Sequence, residues 1–520
     1  MHMRLKKALV AFGVAAALLT TAACSSGGSG ESGTDGGGAT SGGDSSTASL
    51  TLGEVQFPTS FSVDGYSIAH QVAYFNAVFD TLIRQDGDGE LVPGLATEWT
   101  YDDSRTQLTL TLREGVTFTD GAAFDADAVV ANVEAFQASA TADLSNAQYI
   151  SSVEAVDPTH VLFTLSAPDP MLTRWLTGSL GYMASPASLT DPAAATNPVG
   201  TGPYTLDTAK TVVGSTYVFD KKADYWDDSY TVYDTLTVNY YETPTALLNA
   251  LQGGQLDAAT FSDVSSLAQV ESAGYETTTS QLDWMGLILF DRDGTVDAPL
   301  GDVKVRQAIN YAIDRAGILK AIQLDKGTVT SSVFGAATDG HDADMDSYYT
   351  YDVDKAKELM AEAGYADGFA LTMPTTAGLN QSLLATIQQQ LSEIGITVTF
   401  SDVGSNFITD LLGGKYTSSW MQLASANDWQ FAQLALVPNA TFNPFGTRSD
   451  ETDALFTTMQ TGTEDEAAEA AKEVNAYVTE NAWFAPFYNI DNFWVAKPGV
   501  SITMATDNVS PYLYLIQPAS

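Results

Sequence analysis

Cysteine is almost absent from this chain: Cys24 is the only one in 520 residues. A single thiol excludes any disulfide within the chain, so covalent cross-links contribute nothing to its stability. Histidine is nearly as scarce, and the four residues, His2, His70, His160 and His341, lie far apart. Because transition-metal sites need clustered imidazoles or thiolates, the sequence predicts neither a metal centre nor a cofactor.

Catalytic motifs are missing as well. The chain contains no GxSxG, no HExxH and no phosphate-binding loop signature. Its 64 acidic residues are too numerous and too scattered for any two to be singled out as a catalytic pair. The sequence therefore predicts that the protein is not an enzyme.

Basic residues are few: 22 lysines and arginines stand against the 64 acidic residues. Three of them, Arg4, Lys6 and Lys7, lie in the first 23 residues, which contain no acidic residue. Removal of that segment leaves 19 basic against 64 acidic residues, a formal charge of −45. Such a surface repels nucleic acid and anionic lipid, which excludes both as expected partners.

No hydrophobic run is long enough to cross a membrane. A spanning helix needs about 20 apolar residues for about 30 Å of hydrocarbon, whereas the apolar run ALVAFGVAAALL covers only residues 8–19. Basic residues precede this run and the small residues TTAA follow it. This layout predicts a secretory signal peptide over residues 1–23.

Cys24 follows that segment directly. The sequence Thr21, Ala22, Ala23, Cys24 resembles the bacterial lipobox, and the resemblance implies that Cys24 is acylated and becomes the first residue of the mature protein. An ordinary cleaved signal with an incidental cysteine is the alternative. Residues 24–49 are almost wholly Gly, Ser, Thr and Asp, which predicts a flexible tether. We therefore expect a protein on the extracellular face of the cytoplasmic membrane, attached only through its lipid.

A globular pattern begins near residue 50. SLTLGEVQF and QLTLTL alternate as strands, and IAHQVAYFNAVFDTLI, residues 68–83, has apolar residues at helical spacing. RQDGDGELVPGL reads as a hairpin, and Asp125 is placed to cap a helix that begins ADAVVANVEAF. Both strand and helix patterns therefore occur after residue 50.

Residues 93–136 carry a dense set of motif positions. This block resembles the signature of the family 5 extracellular solute-binding proteins of ABC importers, which include dipeptide, oligopeptide and nickel receptors. The matching positions are Leu95, Ala96, Trp99, Leu112, Arg113, Gly115, Val116, Phe118, Asp120, Gly121, Ala126, Asp127 and Val129. Thr119 stands where a histidine is common in the family.

Further blocks follow in the order of the family. They are VGTGPYTL from Val199, KKADYWDD around Trp226, LLNALQGGQLDAATF from Leu247, VKVRQAINYAIDRAGILKAI from Val303 and YDVDKAKELMAEAGYADG from Tyr351. Each block also has a structural reason. Asp302 and Asp314 are placed to cap helices, and Gly364 can end one in the left-handed conformation. These motifs identify a scaffold and not its ligand.

The resemblance implies an α/β fold: a two-lobe, type II periplasmic-binding-protein-like clamp of the large cluster C form. Lobe I would comprise residues 50–282 and 491–520, and lobe II residues 283–490. The hinge crossings would lie near residues 282–291 and 485–493. A ligand would be enclosed between the lobes, and the closed form of a monomeric receptor would be recognised by a permease and ATPase complex.

The same resemblance implies one ligand contact. Family members often carry an aspartate after a lobe II strand that holds the ammonium group of a peptide. The corresponding stretch here is GGKYTSSWMQLASANDWQFAQL, in which Asp428 is the counterpart, although Trp429 follows it where a proline is customary. The alternative role of Asp428 is a surface turn. A peptide is the expected ligand because peptide uptake is the commonest duty of the family.

Three tryptophans suggest a second ligand class. Trp420 and Trp429 flank Asp428, and Trp284 lies at the expected crossing. For any one of them a place in the hydrophobic core is the better expectation, but as a group they raise a second possibility. Aromatic faces against sugar rings, with Asn427 and Asp428 bonding hydroxyls, would form an oligosaccharide site, and some family members bind cello-oligosaccharides. An exported hydrolase with an unrecognised site and a surface adhesin or sensor subunit are alternatives of other classes.

Overall fold

The computed structural model of the protein describes residues 49–141, 143–227, 233–376 and 379–519. The predicted signal peptide, Cys24 and the tether up to residue 48 lie outside the described residues. Within the described ranges, no helix combines the length and the apolarity needed to cross a membrane.

The described residues form 21 strands in chain order. They are β1 Ser49–Glu54, β2 Ile83–Gln85, β3 Leu91–Pro93, β4 Ala96–Tyr101, β5 Gln107–Leu112, β6 Ile150–Asp157, β7 His160–Leu165, β8 Tyr204–Leu206, β9 Thr216–Lys221, β10 Thr235–Tyr240, β11 Ala258–Phe261, β12 Glu276–Ser280, β13 Asp283–Leu289, β14 Gly327–Val329, β15 Phe369–Thr375, β16 Ile396–Asp402, β17 Ser418–Ala424, β18 Phe484–Ile490, β19 Asn492–Ala496, β20 Val500–Ile502 and β21 Ile516–Pro518.

Fifteen α-helices are interspersed with these strands in the described part of the chain. They are α1 Val72–Val78, α2 Ala126–Ala138, α3 Leu172–Trp175, α4 Pro244–Gln252, α5 Leu267–Ser272, α6 Ala298–Gly301, α7 Val303–Ala312, α8 Arg315–Gln323, α9 Ala343–Asp346, α10 Val353–Glu362, α11 Gln381–Ser392, α12 Phe407–Leu412, α13 Asp428–Phe431, α14 Asp450–Thr461 and α15 Glu464–Glu480.

The largest sheet is mixed and has seven strands in the order β12-β19-β11-β1-β10-β9-β8. β1 runs parallel to both of its neighbours, β10 and β11, and β19 lies antiparallel between β11 and β12. The predicted first strand is therefore central, and its residues Leu50 and Leu52 are buried in the core. A second, antiparallel sheet has the order β4-β5-β7-β6.

A separate antiparallel sheet has the order β14-β18-β13-β17, and β15 pairs with β16 in parallel. All of these strands come from residues 283–490, whereas the strands of the seven-stranded sheet come from residues 49–280 and 492–496. The chain passes from one group of sheets to the other between β12 and β13, and returns between β18 and β19. The mixed sheets confirm the α/β prediction.

The tail of the chain returns as expected in part. NFWVAK supplies β19, which joins the large sheet, but VSITMA contributes β20, which pairs only with β21 in a two-stranded ribbon. Of these two segments, only the first extends the large sheet.

The helix predicted over residues 68–83 is shorter than its periodicity suggests. A 3-10 turn, Ala69–Gln71, leads into α1, and Phe79 leaves the helix in an extended conformation. The backbone after α1 instead bonds to another segment, because Leu82 N–H donates to the Gly181 carbonyl and Met183 N–H donates to the Asp80 carbonyl. Tertiary pairing therefore replaces helical bonds while the apolar side chains stay buried.

Predicted helix ends are confirmed. The Asp125 carboxylate accepts a hydrogen bond from Ala128 N–H, and Asp302 accepts one from Lys304 N–H. Asp314 caps α8 through Gly317 N–H, and Gly364 follows α10 with a φ of +85°. Each of these residues has a structural role, as the sequence indicated.

Candidate ligand-binding cleft

Two neighbouring cavities, of about 320 and 450 Å³, lie where segments from the two groups of sheets meet. Their linings share five residues: Glu90, Arg174, Asp339, Asn427 and Asp428. Volumes of this order suit a small organic ligand. We call the pair of cavities the cleft. It is lined from one side by residues 68–179 and 506–512, and from the other by residues 337–339, 426–430 and 459–468.

Asn427 organises the lobe II wall of the cleft. β17 ends at Ala424, and the Asn427 side chain then caps α13 by accepting hydrogen bonds from Trp429 N–H at 3.0 Å and Gln430 N–H at 3.2 Å. This cap fixes Asp428 as the first helical residue. α13 continues directly into a π-helical segment, Ala432–Leu436, a distortion that often accompanies functional sites.

The Asp428 carboxylate of this wall is only partly hydrogen-bonded. Its Oδ2 accepts a hydrogen bond from Gly340 N–H at 2.8 Å, whereas Oδ1 accepts none from the residues described. The side chain is only 8% exposed, yet it lines both cavities. A Cβ at Gly340 would lie 2.9 Å from Oδ1, so the glycine allows this loop to close over the carboxylate.

Burial controls the charge of Asp428. It raises the pKa of this carboxyl to about 6, with a smaller contribution in the same direction from Asp339. The nearby Thr338 hydroxyl and the Gly340 amide oppose the rise in pKa. A cation in the cleft would favour the ionised form and lower this pKa again.

The three predicted tryptophans do not lie together. Trp429 is 6% exposed and lines the larger cavity, and its buried Nε1 has no hydrogen-bond partner among the described residues. Trp284 is fully buried in the core, edge-on to Phe484 and Phe431 at centroid distances of 5.5 and 6.3 Å. Trp420 packs against the neighbouring core from β17.

Neither Trp284 nor Trp420 is among the described residues that line the cleft. Strand pairing explains both positions: Trp284 opposes Leu423 and Trp420 opposes Leu287 within the β13–β17 ladder, so the rings extend into layers that other side chains fill. The structure therefore brings together Asn427, Asp428 and Trp429. It buries Trp284 in the core and leaves Trp420 half-buried against the neighbouring core.

Charged residues that sequence reasoning missed complete the lining. The acidic ones are Asp88, Glu90, Asp339, Glu464 and Asp507, and the basic ones are Arg105 and Arg174. Arg174 Nη1 donates to the Gly89 carbonyl at 3.3 Å, and no carboxylate of the described chain lies within 4 Å of this guanidinium. The PMLTRW stretch gave no signal beyond a lone arginine beside a tryptophan.

Polar contacts cross the edge of the cleft. Gln460 Nε2 donates to the Pro168 carbonyl at 3.0 Å, and Gln433 Nε2 donates to the Tyr149 hydroxyl at 3.1 Å. Arg105 Nη1 donates to the Gly462 carbonyl. Each contact joins a residue of the expected lobe I to one of the expected lobe II.

Comparison with known proteins identifies the scaffold. The family described as bacterial extracellular solute-binding proteins, family 5 Middle, matches residues 90–449. The chain belongs to this family. It is therefore a solute-binding protein of the kind that serves ABC importers, and the expectation that it is not an enzyme is confirmed by its relatives. Within the described residues, no group of three or more His, Cys, Asp or Glu side chains is arranged to hold a metal ion.

Among curated relatives, this family 5 protein is 26% identical over 461 residues to the glutathione-binding protein GsiB of Salmonella paratyphi A. The match covers 81% of this chain and 87% of the relative.

Solved structures share the fold. NikA from Brucella suis, in complex with Fe(III)-EDTA, has a TM-score of 0.79 at 22% identity, with coverage of 91% of this chain and 100% of that chain. The dipeptide-binding protein from Pseudoalteromonas sp. SM9913, in complex with Met-Leu, has a TM-score of 0.71 at 20% identity and the same coverage. The type II clamp predicted from the sequence is confirmed as the fold of this family 5 protein.

Proposed function

We propose that this protein captures peptides outside the cell and delivers them to an ABC importer, with the cleft closing around the peptide. The ligand contact that carries the proposal is Asp428. Its carboxylate is almost fully buried, lines both cavities and leaves Oδ1 without a hydrogen bond from the described residues. A peptide ammonium supplies the donors and the positive charge that such an oxygen lacks.

The energetic reason is the cost of an unpaired buried carboxylate. A buried charge without a partner is unfavourable, and a charge-assisted hydrogen bond to an ammonium is worth about 1.5–3 kcal/mol. The ligand therefore gains more from Asp428 in the dry, closed cleft than in an open one. This difference shifts the population towards the closed form.

Arg174 provides the complementary charge for the other end of a peptide. Its guanidinium contacts a backbone carbonyl and no carboxylate within 4 Å in the described chain, and it lines both cavities beside Asp428. Arginine binds carboxylates with two parallel hydrogen bonds. We assign it to the ligand carboxylate. Two similar proteins support this ligand class. GsiB is named for binding glutathione, which is a tripeptide, and the solved Pseudoalteromonas protein is in complex with the dipeptide Met-Leu.

Closure would occur about the two chain crossings. The division into lobe I, residues 50–282 with 491–520, and lobe II, residues 283–490, is supported by the change of sheet between β12 and β13 and between β18 and β19. The contacts of Gln460 and Gln433 across the cleft edge are ones that opening would break. Both observations fit rigid lobes that move about a hinge.

An oligosaccharide receptor is the alternative within the same scaffold. It would need open aromatic faces, and Trp429 is the one predicted tryptophan that lines the cleft. At 6% exposure its ring offers little free face for a sugar. Trp175, which is half-buried in the smaller cavity, is a second aromatic residue of the lining. The peptide assignment therefore takes precedence.

The proposal also places the receptor at the membrane. Acylation of Cys24 and the tether of residues 24–49 would hold the monomer on the extracellular face, close to its permease and ATPase. Replacement of Cys24 by alanine should release the protein into the medium, and mass spectrometry of the mature N-terminus should show the lipid on the unaltered protein alone. An unlipidated N-terminus on the membrane-bound protein would contradict the anchor.

The ligand assignment is tested by calorimetry on the native protein and on Asp428→Asn. Ala-Ala-Ala should bind the native protein, and N-acetylation of the peptide or the Asp428→Asn change should each weaken binding by about 10-fold or more. The exposed Asp367→Asn should bind as the native protein does. Binding of cellotriose alone, or equal affinity for the acetylated peptide, would contradict the peptide assignment.

A further inference from the structure

The cleft carries an unusual balance of charge. Its lining contains six carboxylates, from Asp88, Glu90, Asp339, Asp428, Glu464 and Asp507, but only two guanidiniums, from Arg105 and Arg174. With all of these groups ionised, the lining has four more negative than positive charges. A zwitterionic peptide, which has one ammonium and one carboxylate, leaves this excess unchanged.

The two guanidiniums are already engaged to different degrees. Arg105 donates to the Gly462 carbonyl across the cleft edge, so it is held by a neutral acceptor. Arg174 contacts the Gly89 carbonyl, and its charge opposes the rise that burial causes in the pKa of the Asp507 carboxyl. Neither arginine forms an ion pair within 4 Å in the described chain, but two positive charges do not balance six carboxylates.

The carboxylates of the cleft mouth form no salt bridges among the described residues, although Lys472 lies close enough to Asp339 for their charges to interact. Asp88, Glu90, Asp339 and Glu464 are exposed, and in the described residues none of them has a salt bridge. Asp428 lies deeper, with its Oδ1 unpartnered at 8% exposure. Asp428 is thus the deepest carboxylate of the lining, and the exposed carboxylates extend the negative potential from it to the entrance.

From this arrangement we propose that the receptor selects peptides of net positive charge, with lysine or arginine side chains besides the N-terminal ammonium. This inference rests on the proposed peptide-binding function and adds the charge class of the ligand. The second cation would be held by the carboxylates of Glu90 and Asp339, which line both cavities beside Asp428. An anionic peptide such as glutathione, with two carboxylates and one ammonium, would meet like charge.

Three tripeptides of matched length test the selection: Ala-Lys-Ala, Ala-Ala-Ala and Ala-Glu-Ala. Calorimetry on the native chain should give Ala-Lys-Ala the lowest Kd, with about 5- to 10-fold between successive peptides in that order. Sodium chloride at about 0.5 M should reduce these ratios, because the mouth carboxylates are open to solvent.

A double variant locates the effect. Glu90→Gln with Asp339→Asn should shrink the ratio between the Kd values of Ala-Lys-Ala and Ala-Glu-Ala. The control is Glu154→Gln with Glu276→Gln, which removes the same charge from exposed strands that do not line the cleft and should leave the ratio unchanged. Both pairs are exposed, so the fold should tolerate them.

The outcomes separate the two proposals. Equal affinity for all three peptides, or tighter binding of Ala-Glu-Ala, overturns the charge selection and leaves the peptide receptor intact. The same reduction of the ratio in both double variants overturns the assignment to the cleft mouth. Failure of every peptide to bind overturns the proposed function together with the inference.

Discussion

The side-chain amide of Gln281 donates a 2.7 Å hydrogen bond to the carboxylate of Asp491. Gln281 lies on the connection between β12 and β13, and Asp491 is the single residue between β18 and β19. The two places where the chain passes between the groups of sheets are thus joined to each other by side chains. The same amide also donates to Thr328 Oγ1 at 2.9 Å.

We expect Gln281→Ala to loosen this junction. Loss of a hydrogen bond to a carboxylate should lower the free energy of unfolding by about 1–2 kcal/mol, measured by urea denaturation. It should also broaden the distribution of distances between the lobes in the absence of ligand. Gln252→Ala removes an exposed amide contact to Gln269 within lobe I, and as the control it should change stability by less than about 0.5 kcal/mol. Equal effects of the two changes would argue against a junction at the crossings.

Gln460→Ala should weaken ligand binding without a matching loss of stability. Its amide donates to the Pro168 carbonyl across the cleft edge, a contact that we expect opening of the cleft to break. Such a bond contributes about 0.5–1.5 kcal/mol, which corresponds to about 2- to 10-fold in Kd by calorimetry. The control Gln388→Ala breaks a contact to Val398 within lobe II and should lower the melting temperature while the Kd stays unchanged.

Peptide affinity should depend on pH through Asp428. Because burial raises its pKa to about 6, the carboxyl is mostly neutral at pH 5 and mostly ionised at pH 7. The ammonium bonds the ionised form, so binding should weaken as the pH falls through 6, by about 10-fold between pH 7 and pH 5. In Asp428→Asn this step should disappear. A native affinity that stays constant over this range would exclude a role for the Asp428 charge.

Local features of this fold were predictable because nearby residues determine them. The helix caps of Asp125 and Asp302 and the strand QLTLTL depend on spacing within a few residues, and the structure has them. The helix predicted over residues 68–83 shows where local patterns stop being sufficient. The apolar residues do recur at helical spacing, but backbone pairing of Leu82 with a segment about 100 residues away ends the helix early.

The cleft could be predicted only through Asp428 and its neighbours. Arg174 on α3 and Asp339 in a loop line the same cavities as that carboxylate but are separated from it by long stretches of chain, and no local pattern distinguishes them from other surface charges. Trp284 looked like a ligand contact because it lies beside a crossing. The pairing of β13 places its ring in the core instead, which depends on strand order and not on sequence spacing.

Ionisation of Glu54 should lower the free energy of unfolding as the pH rises. Glu54 is the last residue of β1, and its carboxyl is fully buried and lies 3.7 Å from His70 Nδ1. Burial raises its pKa to about 7 from 4.5. The folded chain therefore binds this proton more tightly than the unfolded chain, and the stabilisation, complete below about pH 4.5, is lost as the pH rises through 7.

The corresponding test is Glu54→Gln, which cannot ionise. Its free energy of unfolding should exceed that of the native protein by up to about 3 kcal/mol at pH 8, and this difference should fall to zero or below at pH 4.5. Thermal unfolding over this pH range measures it. The exposed Glu134→Gln should show no such trend, and a destabilised Glu54→Gln at pH 8 would refute the unfavourable burial of this charge.

The most direct measurement of the clamp is the distance between its two halves. Spin labels at Glu134→Cys on α2 and Glu473→Cys on α15, in a Cys24→Ala background, would report this distance by pulsed electron paramagnetic resonance. Addition of Ala-Lys-Ala should convert a broad distribution into a single narrower and shorter one, and Asp428→Asn should require more peptide for the same change. A distribution that does not change at peptide concentrations where calorimetry shows saturation would contradict closure as the basis of function.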